Sequence, residues 1–182
     1  MTPPASSGRV VVMGLLRHHD DTPSRRFQMQ QRLLSVGDDS WIEDDQGQRV
    51  YLVDGKALRV RDTFELKDTS GAVVAQIRER KLSVRDKMHI ELTGLEATVT
   101  KRMIGLRDHF NVEVDGAPDL KAHGNVVDHE YEIEGPDGKV AEVSKRWFRL
   151  RDTYGVEVYG DQNVPLLLAV TVAIDAMTRD HG

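Results

Sequence analysis

Leu82-Ser83-Val84-Arg85-Asp86-Lys87-Met88-His89-Ile90 alternates apolar and polar residues on both sides of an Arg-Asp pair, and the chain returns to this pattern. Arg-Asp recurs at Arg61-Asp62, Arg107-Asp108 and Arg151-Asp152, with a weakened copy at Val127-Asp128-His129-Glu130-Tyr131. Two and four residues before each Asp stand Val60/Leu58, Val84/Leu82, Leu106/Ile104 and Leu150/Phe148. Two and four residues after it stand Phe64/Leu66, Met88/Ile90, Phe110/Val112 and Tyr154/Val156. Successive side chains of a strand point to opposite faces, so a period of two marks strands with one buried face. A base lies six residues before every Asp: Lys56, Arg80, Arg102 and Arg146. The unit is an internal repeat of about 22 residues.

Working outward, turn signals fall on the same beat: Asp54-Gly55, Ser70-Gly71, Gly94, Asp115-Gly116, Asp137-Gly138 and Gly160-Asp161. Gly and Asp tolerate the positive φ of tight hairpins, so evenly spaced turns between short strands predict an antiparallel sandwich or barrel. By parity the Asp of each Arg-Asp would share the apolar face, where an unpaired carboxylate costs several kcal/mol. A kink or bulge there, sending both side chains to a rim, resolves the conflict, since such corners bend sheets into barrels. The competing reading is a ring of Asp that binds a cation.

The rhythm stops after Asn163. Pro165 suits a first helical turn, and Leu166 to Ile174 has no polar face, so this helix must be surrounded by protein. Asp175, Thr178, Arg179 and Asp180 are expected to end it in water. Residues 1–27 contain Pro3, Pro4 and Ser6-Ser7-Gly8 and no periodicity; they are expected to be a disordered, dispensable leader, with one domain over 28–182. Val10–Leu16 is short and is followed by Arg17-His18-His19-Asp20-Asp21 rather than a small-residue cleavage site, which argues against a signal peptide.

Composition narrows function. The absence of cysteine removes disulfides, thiolate nucleophiles and Cys-type zinc sites, and suits the cytoplasm. Net charge is −5, and with the leader set aside the body holds 21 bases against 28 acids, a poor match to nucleic acid. The longest apolar run, Val164–Ile174, is 11 residues, too short for a membrane-spanning helix of ~20.

Three stretches carry a family likeness: Gln28-Met29-Gln30-Gln31-Arg32-Leu33-Leu34-Ser35-Val36-Gly37-Asp38, then Trp41-Ile42-Glu43-Asp44 with Gly47, then Tyr51-Leu52-Val53-Asp54-Gly55-Lys56. With the repeated Arg-Asp strands and the late apolar helix, they make the chain resemble the LURP-one-related family over roughly 150 of 182 residues. The resemblance implies a tubby C-terminal-like fold: all-β, a closed antiparallel barrel of about twelve strands around a C-terminal hydrophobic helix. Fold relatives include the phosphoinositide-binding tubby proteins and phospholipid scramblases. The LURP-one-related branch implies no particular activity.

Catalytic patterns are weak. No Gly-x-Ser-x-Gly elbow occurs, and Gly135-Pro136-Asp137-Gly138-Lys139 reads as a turn rather than a phosphate loop. His123 and His129, six apart, would share a strand face as a minimal zinc pair or, more simply, stand exposed. No enzyme activity, metal or cofactor is expected. The candidate contacts are basic clusters just before the corners: Arg80 and Lys81, Lys101 and Arg102, Lys145 and Arg146, with Arg149. Trp147 among them is placed as an interfacial anchor. Brought onto one rim, these bases suit an anionic lipid headgroup or small ligand; otherwise they pair with Glu91, Glu113, Glu132 and Glu157 across strands. The leading expectation is a monomeric structural or protein-interaction module with an unidentified protein partner, and the alternative is the anionic-headgroup site.

Overall fold

The computed structural model describes residues 23–30, 40–55, 63–80, 87–104, 107–147 and 152–179. These form twelve strands and one helix. The strands are β1 (Ser24–Gln30), β2 (Ser40–Asp44), β3 (Arg49–Asp54), β4 (Thr63–Asp68), β5 (Val73–Glu79) and β6 (Lys87–Leu92). They continue as β7 (Leu95–Ile104), β8 (Arg107–Val114), β9 (Leu120–Asn125), β10 (Glu130–Gly135), β11 (Gly138–Ser144) and β12 (Thr153–Tyr159), followed by α1 (Val164–Arg179). Each strand pairs antiparallel with its neighbour in sequence, and β1 pairs with both β2 and β12, closing the barrel.

The repeat explains the ladder. The positions two and four residues after each Asp (Phe64 and Leu66, Met88 and Ile90, Phe110 and Val112, Tyr154 and Val156) all lie in the core. The corner expectation divides. Asp152 takes a left-handed φ of 61° immediately before β12. Arg107-Asp108 instead continues the ladder unbroken opposite Ile104 and Met103. Arg61-Asp62 and Arg85-Asp86 lie outside the described residues. In the degenerate fifth copy His129 takes the place of the Asp, with φ 53° and with Tyr131 and Ile133 buried two and four residues on. A non-glycine residue at such a φ is uncommon and is held by surrounding contacts.

Glycine is required at two contrasting points. Gly94, at φ 75°, reverses the chain in the two-residue loop between β6 and β7. Gly124, at φ 137°, would place a Cβ only 2.7 Å from the Glu130 carbonyl oxygen and the Tyr131 Cα, so no side chain fits there.

Helix α1 is capped by Asn163, whose side-chain oxygen accepts from the Leu166 N–H at 3.1 Å while its carbonyl accepts from Leu167 N–H at 3.1 Å. Leu167, Leu168, Val170, Val172 and Ile174 are buried, and the helix packs on β5, β6, β7 and β12, so it fills the barrel interior. Thr171 and Thr178 avoid a polar penalty by donating to the Leu167 and Ile174 carbonyls.

Two expectations are corrected. Strand β1 begins at Ser24, inside the segment assigned to the leader, and Phe27 is buried. The boundary therefore falls before Ser24, because Ser24–Phe27 pair with Tyr159–Val156. The helix also does not leave the core at Asp175, which is buried. Its carboxylate accepts from the Tyr154 hydroxyl at 2.5 Å and lies 3.3 Å from His129 Nε2.

Candidate functional site

The topology gives the barrel two unlike ends. The β2–β3, β4–β5, β6–β7, β8–β9 and β10–β11 turns, and the start of α1, lie at one end, here the hairpin end. The crossings from each odd strand to the next even one lie at the other, the corner end. Asp44, Asp68, Asp115, Asp119, Asp137 and Asp161 belong to the hairpin end, whereas Arg80, Lys101, Arg102, Lys145 and Arg146 belong to the corner end. A helix carries partial positive charge at its N-terminus and negative charge at its C-terminus. The first turn of α1 holds no acid, so the surrounding turns supply that complement, and the corner bases supply the other.

The five described candidate bases thus share an end but not a surface. Arg102 faces outward and is exposed. Lys101 stands opposite Phe110 on the interior face, at the mouth where α1 finishes. Arg146 lies 3.4 Å from Glu130, whose carboxylate also accepts from the Ser144 hydroxyl and from the Lys145 N–H. Arg80 is exposed, and its N–H donates to the Lys87 carbonyl. Lys81 and Arg149 lie outside the described residues. Trp147 is half-buried with the Arg26 guanidinium 5.4 Å over its ring, so it is not a free anchor.

Glu91, Glu132 and Glu157 do find bases across strands, but not the candidate ones: Glu91 lies 3.7 Å from Arg78, Glu132 holds Lys139 at 2.9 Å together with Glu142 of the same strand at 2.6 Å, and Glu157 holds Arg26 at 3.1 Å. Burial pushes the Glu157 carboxyl up. The Ser24 hydroxyl at 2.6 Å and Arg26 outweigh it and hold the group below the ordinary range. A depressed carboxylate contributes stability above its unfolded pKa and loses it as pH falls through the folded one. Glu157→Gln is therefore expected to melt below wild type at pH 7, with the gap closing on acidification below the usual glutamate range; thermal melts from pH 7 to 3 check this.

The two histidines separate. His123 is on the outer face, 3.0 Å from Glu134. His129 is buried, against the expected exposure, with its ring 4.4 Å from that of Tyr154 and its Nε2 facing Asp175. The intervening turn carries the chain from the outside of β9 to the interior of the corner end. Tyr131, fully enclosed, has its hydroxyl pushed well up by burial, with Asp175 adding to the shift. This His129–Asp175–Tyr154 group ties α1 to the β9–β10 turn and to β12. Among the described residues no group of three or more His, Asp or Glu is arranged to hold a metal ion.

A concave site among the described residues lies at the hairpin end, where none of the candidate contacts falls. A cleft of about 550 Å³ opens between the β8–β9 turn, the β10–β11 turn and the first turn of α1. Val114, Leu120, Val140, Leu166 and Leu167 are among its apolar lining, and Lys139, Tyr159 and Asp137 form its polar side. The Tyr159 hydroxyl is pushed up to about 12 by burial and by the Glu157 and Glu142 carboxylates, so it stays a neutral donor. Lys139 stays charged because its two glutamates outweigh desolvation. A volume in this range suits a small organic molecule.

A closed antiparallel barrel wound around an apolar helix, with a cleft at the helix N-terminus, defines the class. The chain belongs to the LURP-one-related family, whose pattern it matches over residues 25–175. Its fold is similar to the X-ray structure of an Arabidopsis thaliana protein, with a TM-score of 0.57 and 15% identity over 85% of this chain and 91% of that one. No curated protein matches the chain. No helix among the described residues is long and apolar enough to cross a membrane.

Proposed function

We propose that the barrel is a non-catalytic binding module that takes a small, largely apolar molecule in the hairpin-end cleft. The observation that carries this is the cleft itself. The lumen is filled by α1, and at the start of the helix Leu166 and Leu167 form an apolar floor that a ligand can reach. The polar groups beside it are already engaged: Lys139 by two glutamates, Tyr159 by Glu142 at 3.3 Å, and Asn163 by the helix start. Such groups orient a ligand rather than react with it. On this reading the protein acts as a monomer, and its cysteine-free sequence fits a reducing compartment such as the cytoplasm.

Titration with the neutral fluorophore N-phenyl-1-naphthylamine tests the proposal. Wild type is expected to enhance its emission saturably, and Ala117→Trp, which adds an indole from an exposed turn position on the cleft wall, to reduce the affinity at least tenfold. Equal binding by both, or none by wild type, overturns it. The second reading, an anionic-headgroup or protein-docking rim, is favoured by the shared corner-end position of Arg80, Lys101, Arg102, Lys145 and Arg146. Flotation with anionic liposomes at low salt, lost when Lys101, Arg102, Lys145 and Arg146 are all changed to Ser, would move the function there.

A further inference from the structure

We infer that the cleft selects amphipathic molecules with a cationic head, such as a protonated alkylamine, over fatty-acid-like anions; this rests on the cleft reading above. The first observation is charge. On the polar wall and directly behind it stand the carboxylates of Asp137, Glu132, Glu142 and Glu157 with the cations of Lys139 and Arg26, an excess of two negative charges, while Lys121 beside Leu120 is offset by Glu134 opposite it. Arg25 approaches the mouth, donating to the Gln162 carbonyl at 3.0 Å. It is outnumbered by Asp115, Asp119 and Asp161, all exposed in the turns that border the cleft. Charges within a Debye length of about 8–10 Å of a cleft set its potential more than the net charge of the molecule does.

The second observation removes the usual attraction of a helix start for anions. That attraction comes from unsatisfied N–H groups in the first turn. Here Pro165 has no N–H, and those of Leu166 and Leu167 are both taken by Asn163. An incoming carboxylate would meet few donors and a surplus of carboxylates. The Lys139 ammonium does not rescue it, because Glu132 and Glu142 hold it at 2.9 and 2.6 Å. A cationic head instead finds the Asp137 carboxylate at the rim while its chain covers Leu166, Val140 and Leu120.

Calorimetric titration of the full chain with octyltrimethylammonium, octanol and octanoate, each below its micelle-forming concentration, separates the outcomes. The cation is expected to bind at least tenfold more tightly than octanoate, with octanol between them, and the ratio to shrink towards one in about 0.5 M salt, where screening is short-ranged. Changing Asp137 and Asp161, both exposed, to Asn should lower the same ratio. Octanoate binding as tightly as the cation, or octanol matching it, overturns the charge selection while leaving the cleft reading in place. Failure of all three to bind overturns both. Cation binding that weakens as protein concentration rises would show a second copy of the chain filling the cleft, which also overturns the assignment.

Discussion

Leu167→Asp is expected to yield no soluble, cooperatively folded protein. Leu167 is 2% exposed in the first half of α1, packed inside the barrel beneath the cleft at the helix start. A carboxylate there would be buried with no cation built to meet it, and such a charge costs several kcal/mol even after relaxation. The lost apolar contacts add about 2–5 kcal/mol more. The sum is comparable to the about 5–15 kcal/mol that holds a domain of this kind together. Expression followed by circular dichroism and a urea melt checks this. A soluble variant with a single sharp transition would show that the helix is not the core of the barrel.

Removal of residues 1–27 is expected to lower the melting temperature by at least about 10 °C or to prevent folding. The cut takes Ser24–Phe27, which make four of the seven registered pairs between β1 and β12, and both pairs that join β1 to β2 lie at or beside it. It also removes the Ser24 and Arg26 partners of buried Glu157. The Phe27 side chain alone corresponds to about 3–5 kcal/mol, and each kcal/mol shifts the melting point of a domain this size by about 2–4 °C. A shorter deletion ending at residue 22 keeps every one of these contacts and is expected to change the melting point by less than about 2 °C. Parallel melts of the two truncations decide the matter: equal stability would mean β1 is not needed to close the ring.

The architecture was legible because the repeat advertises its own geometry. Phe64, Met88, Phe110 and Tyr154 sit at one offset from one dipeptide, and a period of two around them admits little but a strand with one wet face. The helix was legible because eleven residues without a polar face have nowhere else to go. What escaped notice depends on partners distant in sequence. Ser24 and Arg26 look like tail residues until Glu157 is placed beside them. Asp175 reads as a helix end in water unless Tyr154 and His129 are known to converge on it. A hint was present, since the core position held by Phe64, Met88 and Phe110 becomes tyrosine at Tyr131 and Tyr154, and a buried phenol asks for a polar neighbour. The cleft had no such hint, because Pro118, Pro136 and Gln162 come from three separate turns.

The seam between the first and last strands also sets a clock on synthesis. The Ser24 hydroxyl meets the Glu157 carboxylate across 133 residues of chain, and α1 follows later still. At the ribosomal pace of about 5–20 residues per second, β1 meets β2 at once but waits several seconds for β12 and α1 to emerge. During that wait the strands already made are a curled, open sheet whose inner face, meant for α1, lies bare. Long-range closure of this kind makes folding slow and leaves strand edges exposed to other chains. The ring can therefore be filled only when the final sixteen-residue helix arrives.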